Sequence, residues 1–212
     1  MKIAVLGATG WIGGNIVAEA KSRGMGVVAL SRTAPEHSQE GVEVHTFDVS
    51  DSGASLAEAV RGCDALVVAI GGRARGNHEV VPGAAARLLE QLPATDCQRL
   101  VWVGGAGSLE VAPGVQLLSS PDFPDEFRAE AQAQGEALEL FRNYTGTVNW
   151  TFVSPAADIF PGDRLGHYRV GGDLLLADSE GNCRISVADY ALALVDEVEN
   201  SSHPRQRIGV AY

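Results

Sequence analysis

The chain lacks several features, and each absence excludes a class of protein. Its apolar runs, such as Ala65 to Ile70, fall far short of the ~18 residues that a membrane-crossing helix requires. Its three cysteines, Cys63, Cys97 and Cys183, show no C-x-x-C or Cys/His spacing. No metal site is therefore expected, and unpaired thiols suit a reducing cytoplasm. Basic residues are few: 16 Lys and Arg against 27 Asp and Glu give a net charge of −11, with no basic cluster. Such a surface repels nucleic acid and anionic membranes, so neither is an expected partner. The N-terminus carries one lysine and then a short strand-like run into glycines, unlike a signal peptide.

What is present is an ordinary globular composition, with 45% hydrophobic residues and 25 glycines in 212 residues. A chain of this length buries roughly 70–75% of its unfolded surface and folds without disulfide or metal. One domain over residues 1–212 is expected, either monomeric or homodimeric. Short apolar runs alternate with helical patterns. Strands are expected at Lys2 to Leu6, Gly26 to Leu30, Val42 to Phe47, Ala65 to Ile70, Arg99 to Val103 and Asn149 to Val153. Helices are expected at Ile12 to Arg23, Ser55 to Arg61, His78 to Leu92 and Pro124 to Asn143. Continuous apolar strands between helices predict an α/β fold: a doubly wound parallel sheet covered on both faces. After Pro155 the pattern changes. Residues 156–185 read as a small substrate-side cap, with a hairpin of Tyr168–Val170 and Leu174–Ala177 around Gly171-Gly172. Ser186 to Val198 is a helix capped by Ser186, and Arg207 to Ala211 a last strand. Val111 to Phe123 reads as a long structureless loop.

The segment Gly7-Ala8-Thr9-Gly10-Trp11-Ile12-Gly13 is G-x-x-G-x-x-G between a strand and a helix. A helix N-terminus offers unpaired N–H groups and the positive end of a dipole. Glycines let a pyrophosphate approach those groups closely. In the first βα turn of an alternating chain, this points to dinucleotide binding through Gly7, Thr9, Gly10, Trp11, Ile12 and Gly13. The second strand runs into Ser31-Arg32, with no acid to accept from both ribose hydroxyls. A guanidinium there suits a 2′-phosphate, so NADP(H) is expected over NAD(H). Ligands in this architecture lie at the carboxyl ends of the strands. That places Asp48 and Val49, Ala69, Ile70 and Gly71, Gly104 and Gly105, and Ser154, Pro155 and Ala156 along the cofactor. Arg73, Arg75 and His78 follow the fourth strand, where they either anchor an anion or belong to a solvated loop.

GATGWIG, SR after the second strand, FDVSD after the third and SPAA after the sixth resemble the atypical short-chain dehydrogenase/reductase superfamily. VGGAGSLEVAPG, GEALELFR and RISVADYALALVDE resemble its NAD(P)H-binding NADH-flavin reductase subgroup, related to biliverdin-IX-beta and flavin reductases. The resemblance covers nearly the whole chain and implies a Rossmann-type fold. It also implies a departure. Classical members carry a Tyr-x-x-x-Lys pair on the helix after the fifth strand, and no such pair exists here. Alignment of GEALELFR puts Arg128 and Gln132 at those positions. Ser108 is the nearest hydroxyl after strand five. Tyr168 in the cap is the candidate substrate-side proton donor, with Ser108 as its companion.

The expected function is NADP(H)-dependent hydride transfer to a small planar acceptor such as a flavin or quinone, without a Tyr-Lys pair. A non-catalytic NADP(H) sensor and an NAD(P)-dependent epimerase or dehydratase are the alternatives.

Overall fold

A computed structural model describes residues 1–33 and 40–212. The chain runs β1 (Lys2–Leu6), α1 (Trp11–Ser22), β2 (Gly26–Ser31), β3 (Val42–Thr46), α2 (Leu56–Ala59), β4 (Ala65–Val68), α3 (Val80–Gln91) and β5 (Arg99–Val103). It continues through β6 (Glu110–Ala112), β7 (Val115–Gln116), α4 (Asp125–Arg142), β8 (Asn149–Ser154), β9 (Asp158–Phe160) and β10 (Arg169–Gly171). It ends in β11 (Arg184–Ser186), α5 (Val187–Asn200) and β12 (Gln206–Ala211).

Eight strands form one sheet in the order β10-β12-β8-β5-β4-β1-β2-β3. All pairings are parallel except β10 with β12. Strand order reverses direction between β1 and β4, and in doubly wound sheets the ligand crevice lies outside the carboxyl ends of the strands at that reversal. One face packs on α2, α3 and α4 through Leu66, Val68, Trp102 and Phe152. The other packs on α1 and α5 through Ile3, Val5, Val67 and Val101. Both faces are covered, so β1, β4 and β5 are buried along nearly their whole length, as a doubly wound sheet requires.

Phe141 seats α4. Its ring lies 5.3 Å from Trp102, 5.3 Å from Trp150 and 5.7 Å from Phe152. Losing a buried aromatic ring of this kind costs about 3–5 kcal/mol. The position of α4, and of every side chain it presents to the crevice, depends on that cluster.

Two expectations about the C-terminal third are corrected. Residues 168–177 form no hairpin: β10 pairs with β12 instead, and Leu174 makes an isolated parallel bridge to Glu110. The stretch Val111 to Phe123 is not structureless, since β6 and β7 pair antiparallel across Pro113-Gly114 and a 3-10 turn follows at Leu117–Ser119. In the first place, bonds to distant segments override the local turn signal; in the second, Pro113-Gly114 turns a short local hairpin.

In the expected cap, β9 and β11 pair beside the start of α5. The loop between β9 and β10 is fastened along α1 and α5. Arg164 pairs with Glu19, and the Leu165 and Gly166 N–H groups donate to Asp189 at 2.9 and 2.8 Å. Asp189 is fully buried and also accepts from the Ser186 and Tyr212 hydroxyls at 3.1 and 2.5 Å. Burial pushes this carboxyl up. The bonds from Tyr212, Leu165, Gly166 and Ser186 outweigh burial and hold it below the usual carboxylate value. A carboxylate lowered in the native state stabilises the fold above its unfolded pKa, about 4. That contribution is lost as pH falls through the native value. Asp189→Asn is expected to cost about 3 kcal/mol at neutral pH. It should also flatten the decline in stability below about pH 4. Thermal melts of both proteins from pH 7 to pH 3 check this, and parallel acid limbs would contradict it.

Candidate functional site

The glycine turn is shaped by its neighbours before any ligand is considered. Gly7 has φ +85°, and a Cβ there would lie 2.3 Å from the Ala69 carbonyl oxygen. A Cβ on Gly13 would lie 2.1 Å from the Gly7 carbonyl oxygen. Both positions therefore exclude a side chain on steric grounds alone. Gly10 differs: its Cβ would meet only the Gly7 oxygen, at 3.3 Å. Thr9, Gly10 and Trp11 are exposed, and Trp11 keeps 49% of its surface. Gly10 caps α1 without a side-chain hydrogen bond, and the first turn carries no acid. The N-terminal N–H groups of α1 thus open onto the crevice with their dipole uncompensated.

The other expected cofactor residues line the same edge. The Gly7 N–H donates to Leu30 O at 3.1 Å, tying the turn to the end of β2. Just beyond, Ser31 is buried and its hydroxyl donates to Thr33 O at 2.7 Å, so that proton is committed to the turn. Arg32 is exposed. Asp48 closes its own turn by accepting from Ser50 N–H at 2.8 Å. Val49 follows it, its carbonyl held by Arg87 at 2.8 Å. Ala69, Ile70 and Gly71 leave β4 beside Gly7. Gly104 and Gly105 leave β5 where side chains would strike Phe152 and Gln134. Ser154, Pro155 and Ala156 end β8, all buried. The Ser154 hydroxyl has no hydrogen-bond partner among the described residues. These features fit a dinucleotide: free N–H donors at the turn, close backbone approach, and an unpaired hydroxyl at the far end.

Of the two expected proton donors, Tyr168 is held elsewhere. The Tyr168 hydroxyl donates to Asp196 at 2.5 Å, and Asp196 pairs with Arg23 at the far end of α1. That helix has 12 residues, about 18 Å from its glycine turn. Burial, and then the Asp196 carboxylate, push the Tyr168 hydroxyl up. Tyr168 therefore fastens the outer helices. Ser108 is buried, and its carbonyl accepts from Arg207 at 2.8 Å, drawing it toward β12. The aligned Tyr-Lys positions face elsewhere too. Arg128 holds the Leu118 and Phe123 carbonyls at 3.1 Å each, and Gln132 is exposed. All three thiols are buried, and burial pushes each up, Cys97 to about 12, so none is poised as a nucleophile.

The face of α4 that meets the crevice is set two residues later in the chain. Glu130 Oε2 accepts from Gly72 N–H at 3.0 Å and lies 2.7 Å from His78 Nδ1. A Cβ on Gly71 would be 2.8 Å from Glu130 Oε1. One turn on, Gln134 accepts from Trp102 Nε1 at 3.0 Å beside Gly105. Glu130 was not among the residues the sequence singled out. The inward phase of α4, visible in Ala131, Gln134, Ala137, Leu138 and Phe141, is the signal that would have found it. Gly13→Ala is expected to destabilise the fold by about 3 kcal/mol, since backbone must move. Gly10→Ala should cost less than about 1 kcal/mol. Denaturant unfolding of the two variants checks this, and equal losses would contradict the steric account.

Residues 7–198 match the NAD(P)H-binding family. Protein YwnB of Bacillus subtilis, itself uncharacterized, is 38% identical over 99% of this chain and 98% of its own. A protein of Burkholderia pseudomallei, provisionally described as exported, shares 41% identity with a TM-score of 0.89, covering all of both chains. A Streptococcus pneumoniae protein provisionally named an NADH-flavin reductase shares 34% identity with a TM-score of 0.87, over 100% of this chain and 99% of its own. A Bacteroides thetaiotaomicron protein provisionally named an epimerase shares 34% identity with a TM-score of 0.88, over 100% and 96%. Among the described residues, no helix is long and apolar enough to cross a membrane. The chain belongs to the NAD(P)H-binding family, with an oxidoreductase-like Rossmann architecture.

Proposed function

We propose that this protein is an NADP(H)-dependent reductase that passes hydride to a small planar acceptor such as a flavin or quinone. The observation that carries the reading is the pairing of the uncapped α1 N-terminus with the exposed Arg32, two residues beyond the carbonyl that holds Gly7. The helix end receives the pyrophosphate through its N–H groups. Arg32 receives a 2′-phosphate through charge-assisted bonds, and no acid stands at this strand end to repel it. Arg32 is exposed at the end of β2, on the same side of the turn as the Leu30 carbonyl that holds Gly7. With the Ser31 proton spent on Thr33, discrimination rests on Arg32. When bound, the nicotinamide supplies the hydride itself. The chain's task is then to orient the ring at the ends of β4, β5 and β8 and to hold the acceptor against it.

The name of the pneumococcal relative supports a flavin as acceptor, and the name of the Bacteroides relative supports an epimerase. The epimerase reading calls for a tyrosine acid on α4. That helix presents Glu130 and Gln134 to the crevice instead, which favours direct hydride transfer. A sensor that binds NADP(H) without turnover is the remaining alternative, and an acceptor screen separates it from the reductase.

The test is titration of the protein with NADPH and NADH, for the wild type and Arg32→Ala. Loss of charge-assisted bonds worth about 1.5–3 kcal/mol is expected to weaken NADPH binding roughly 10- to 100-fold. NADH binding should stay unchanged. Equal affinity for the two nucleotides in both proteins would overturn the preference. Absence of NADPH binding would overturn the reading itself.

A further inference from the structure

A reductase that gives hydride to a quinone or flavin must also deliver a proton, and the helix that usually supplies it carries no tyrosine here. The loop between β4 and α3 brings an imidazole to the opposite wall. His78 sits two residues before α3, with its Nδ1 2.7 Å from Glu130 of α4. The same carboxylate accepts from Gly72 N–H at 3.0 Å. Two ends of one loop are thus pinned by a single side chain. A second contact spans the same gap, with the Arg73 guanidinium 4.8 Å from the centre of the Phe127 ring on the first turn of α4. The position of this assembly follows from its neighbours. Glu130 abuts Gly71, Gly71 follows Ile70, and Ile70 abuts Gly7 of the dinucleotide turn. The pair therefore stands at the carboxyl edge of the sheet, beside the crevice.

Resting on the reductase reading above, we propose that His78 is the proton donor to the acceptor and that Glu130 is its positioning residue. With Nδ1 committed to Glu130, the other ring nitrogen is the working atom. Nε2 makes no hydrogen bond to a described residue, and 26% of the side chain remains open. In the imidazolium form both nitrogens carry protons. The Nδ1 proton stays with Glu130, and the Nε2–H bond breaks as an O–H or N–H bond forms on the acceptor. The acceptor gains the hydride and its electron pair from the nicotinamide, which is oxidised. Water then returns a proton to His78. The acceptor is reduced by two electrons and gains two hydrogens, so the step balances with NADPH as reductant. The residue that usually donates is a hydroxyl carried on the helix. Here the helix carries the orienting carboxylate, and the loop carries the acid.

The test uses the whole protein, NADPH and a water-soluble naphthoquinone, with His78→Gln and Glu130→Gln. General acid catalysis is worth about 10²–10⁴-fold. His78→Gln is expected to lower kcat about 100-fold while leaving NADPH affinity and the quinone KM nearly unchanged. Glu130→Gln should show a smaller loss of kcat with the same split. A readout independent of turnover is the ¹⁵N resonance of His78 in the wild type loaded with NADP⁺. Adding oxidised naphthoquinone should shift Nε2 and leave Nδ1 in its bond to Glu130. If kcat of His78→Gln stays within about twofold of wild type and the quinone leaves the His78 resonances unmoved, the proposal is wrong while the reductase reading stands. If wild type reduces no acceptor, both fall together. If His78→Gln fails to fold, the wild-type resonance alone decides.

Discussion

The carbonyl oxygen of Gly7 occupies the space that a side chain at Gly13 would need, and the carbonyl of Ala69 occupies the space that a side chain at Gly7 would need. Three backbone segments meet there at van der Waals distance: the end of β1, the first turn of α1 and the end of β4. Nothing larger than hydrogen fits between them. The contact fixes where α1 begins and aims its N-terminus across the switch point of the sheet. It also sets Ile70 and Gly71 against the turn, so the loop that follows enters the crevice at a defined place. The glycines at 7 and 13 thus serve packing first. Any ligand gains its close approach from Gly10 and from N–H groups that packing has already oriented.

The wall opposite the turn depends on a different interaction. Phe141 locks α4 into the Trp102, Trp150 and Phe152 cluster, and the phase of that helix then presents Glu130 and Gln134 to the loops after β4 and β5. Electrostatics refine the result. The chain carries a net charge of −11, so an anionic nucleotide approaches against the overall field. At physiological salt that field is screened within about 8 Å. Local donors then matter more than net charge, and Arg32, Arg73 and Arg75 are exposed in the segments that follow β2 and β4.

The doubly wound sheet was legible in the sequence because its strands are short, continuous apolar runs and its helices carry clear stop signals. The elements predicted between β1 and β8 appear with their ends within about two residues of expectation, while β6 and β7 were not anticipated. The glycine turn was legible because its spacing and place in the chain agree. The rest depends on contacts between distant residues. Glu130 and His78 are 52 positions apart, and no local pattern joins them. Which face of α4 meets the loops was not legible, because its run of Ala, Glu and Gln tolerates several registers and two residues on a helix turn a side chain to another face. The partner of Tyr168 was hidden for a related reason. A tyrosine in a loop exposes its hydroxyl unless a partner is supplied, and Asp196 supplies one from the middle of α5.

The central claim is that the uncapped end of α1 and the loops beside it receive a dinucleotide. The most direct test is backbone amide NMR of the ¹⁵N-labelled protein during titration with NADP⁺. The account predicts saturable shifts at Gly10 to Gly13, Ile70 and Gly71, and Gly104 and Gly105, with the opposite edge of the sheet, near Cys63 and Asn149, unmoved. Shifts confined to that opposite edge, or none at any nucleotide concentration, would contradict it.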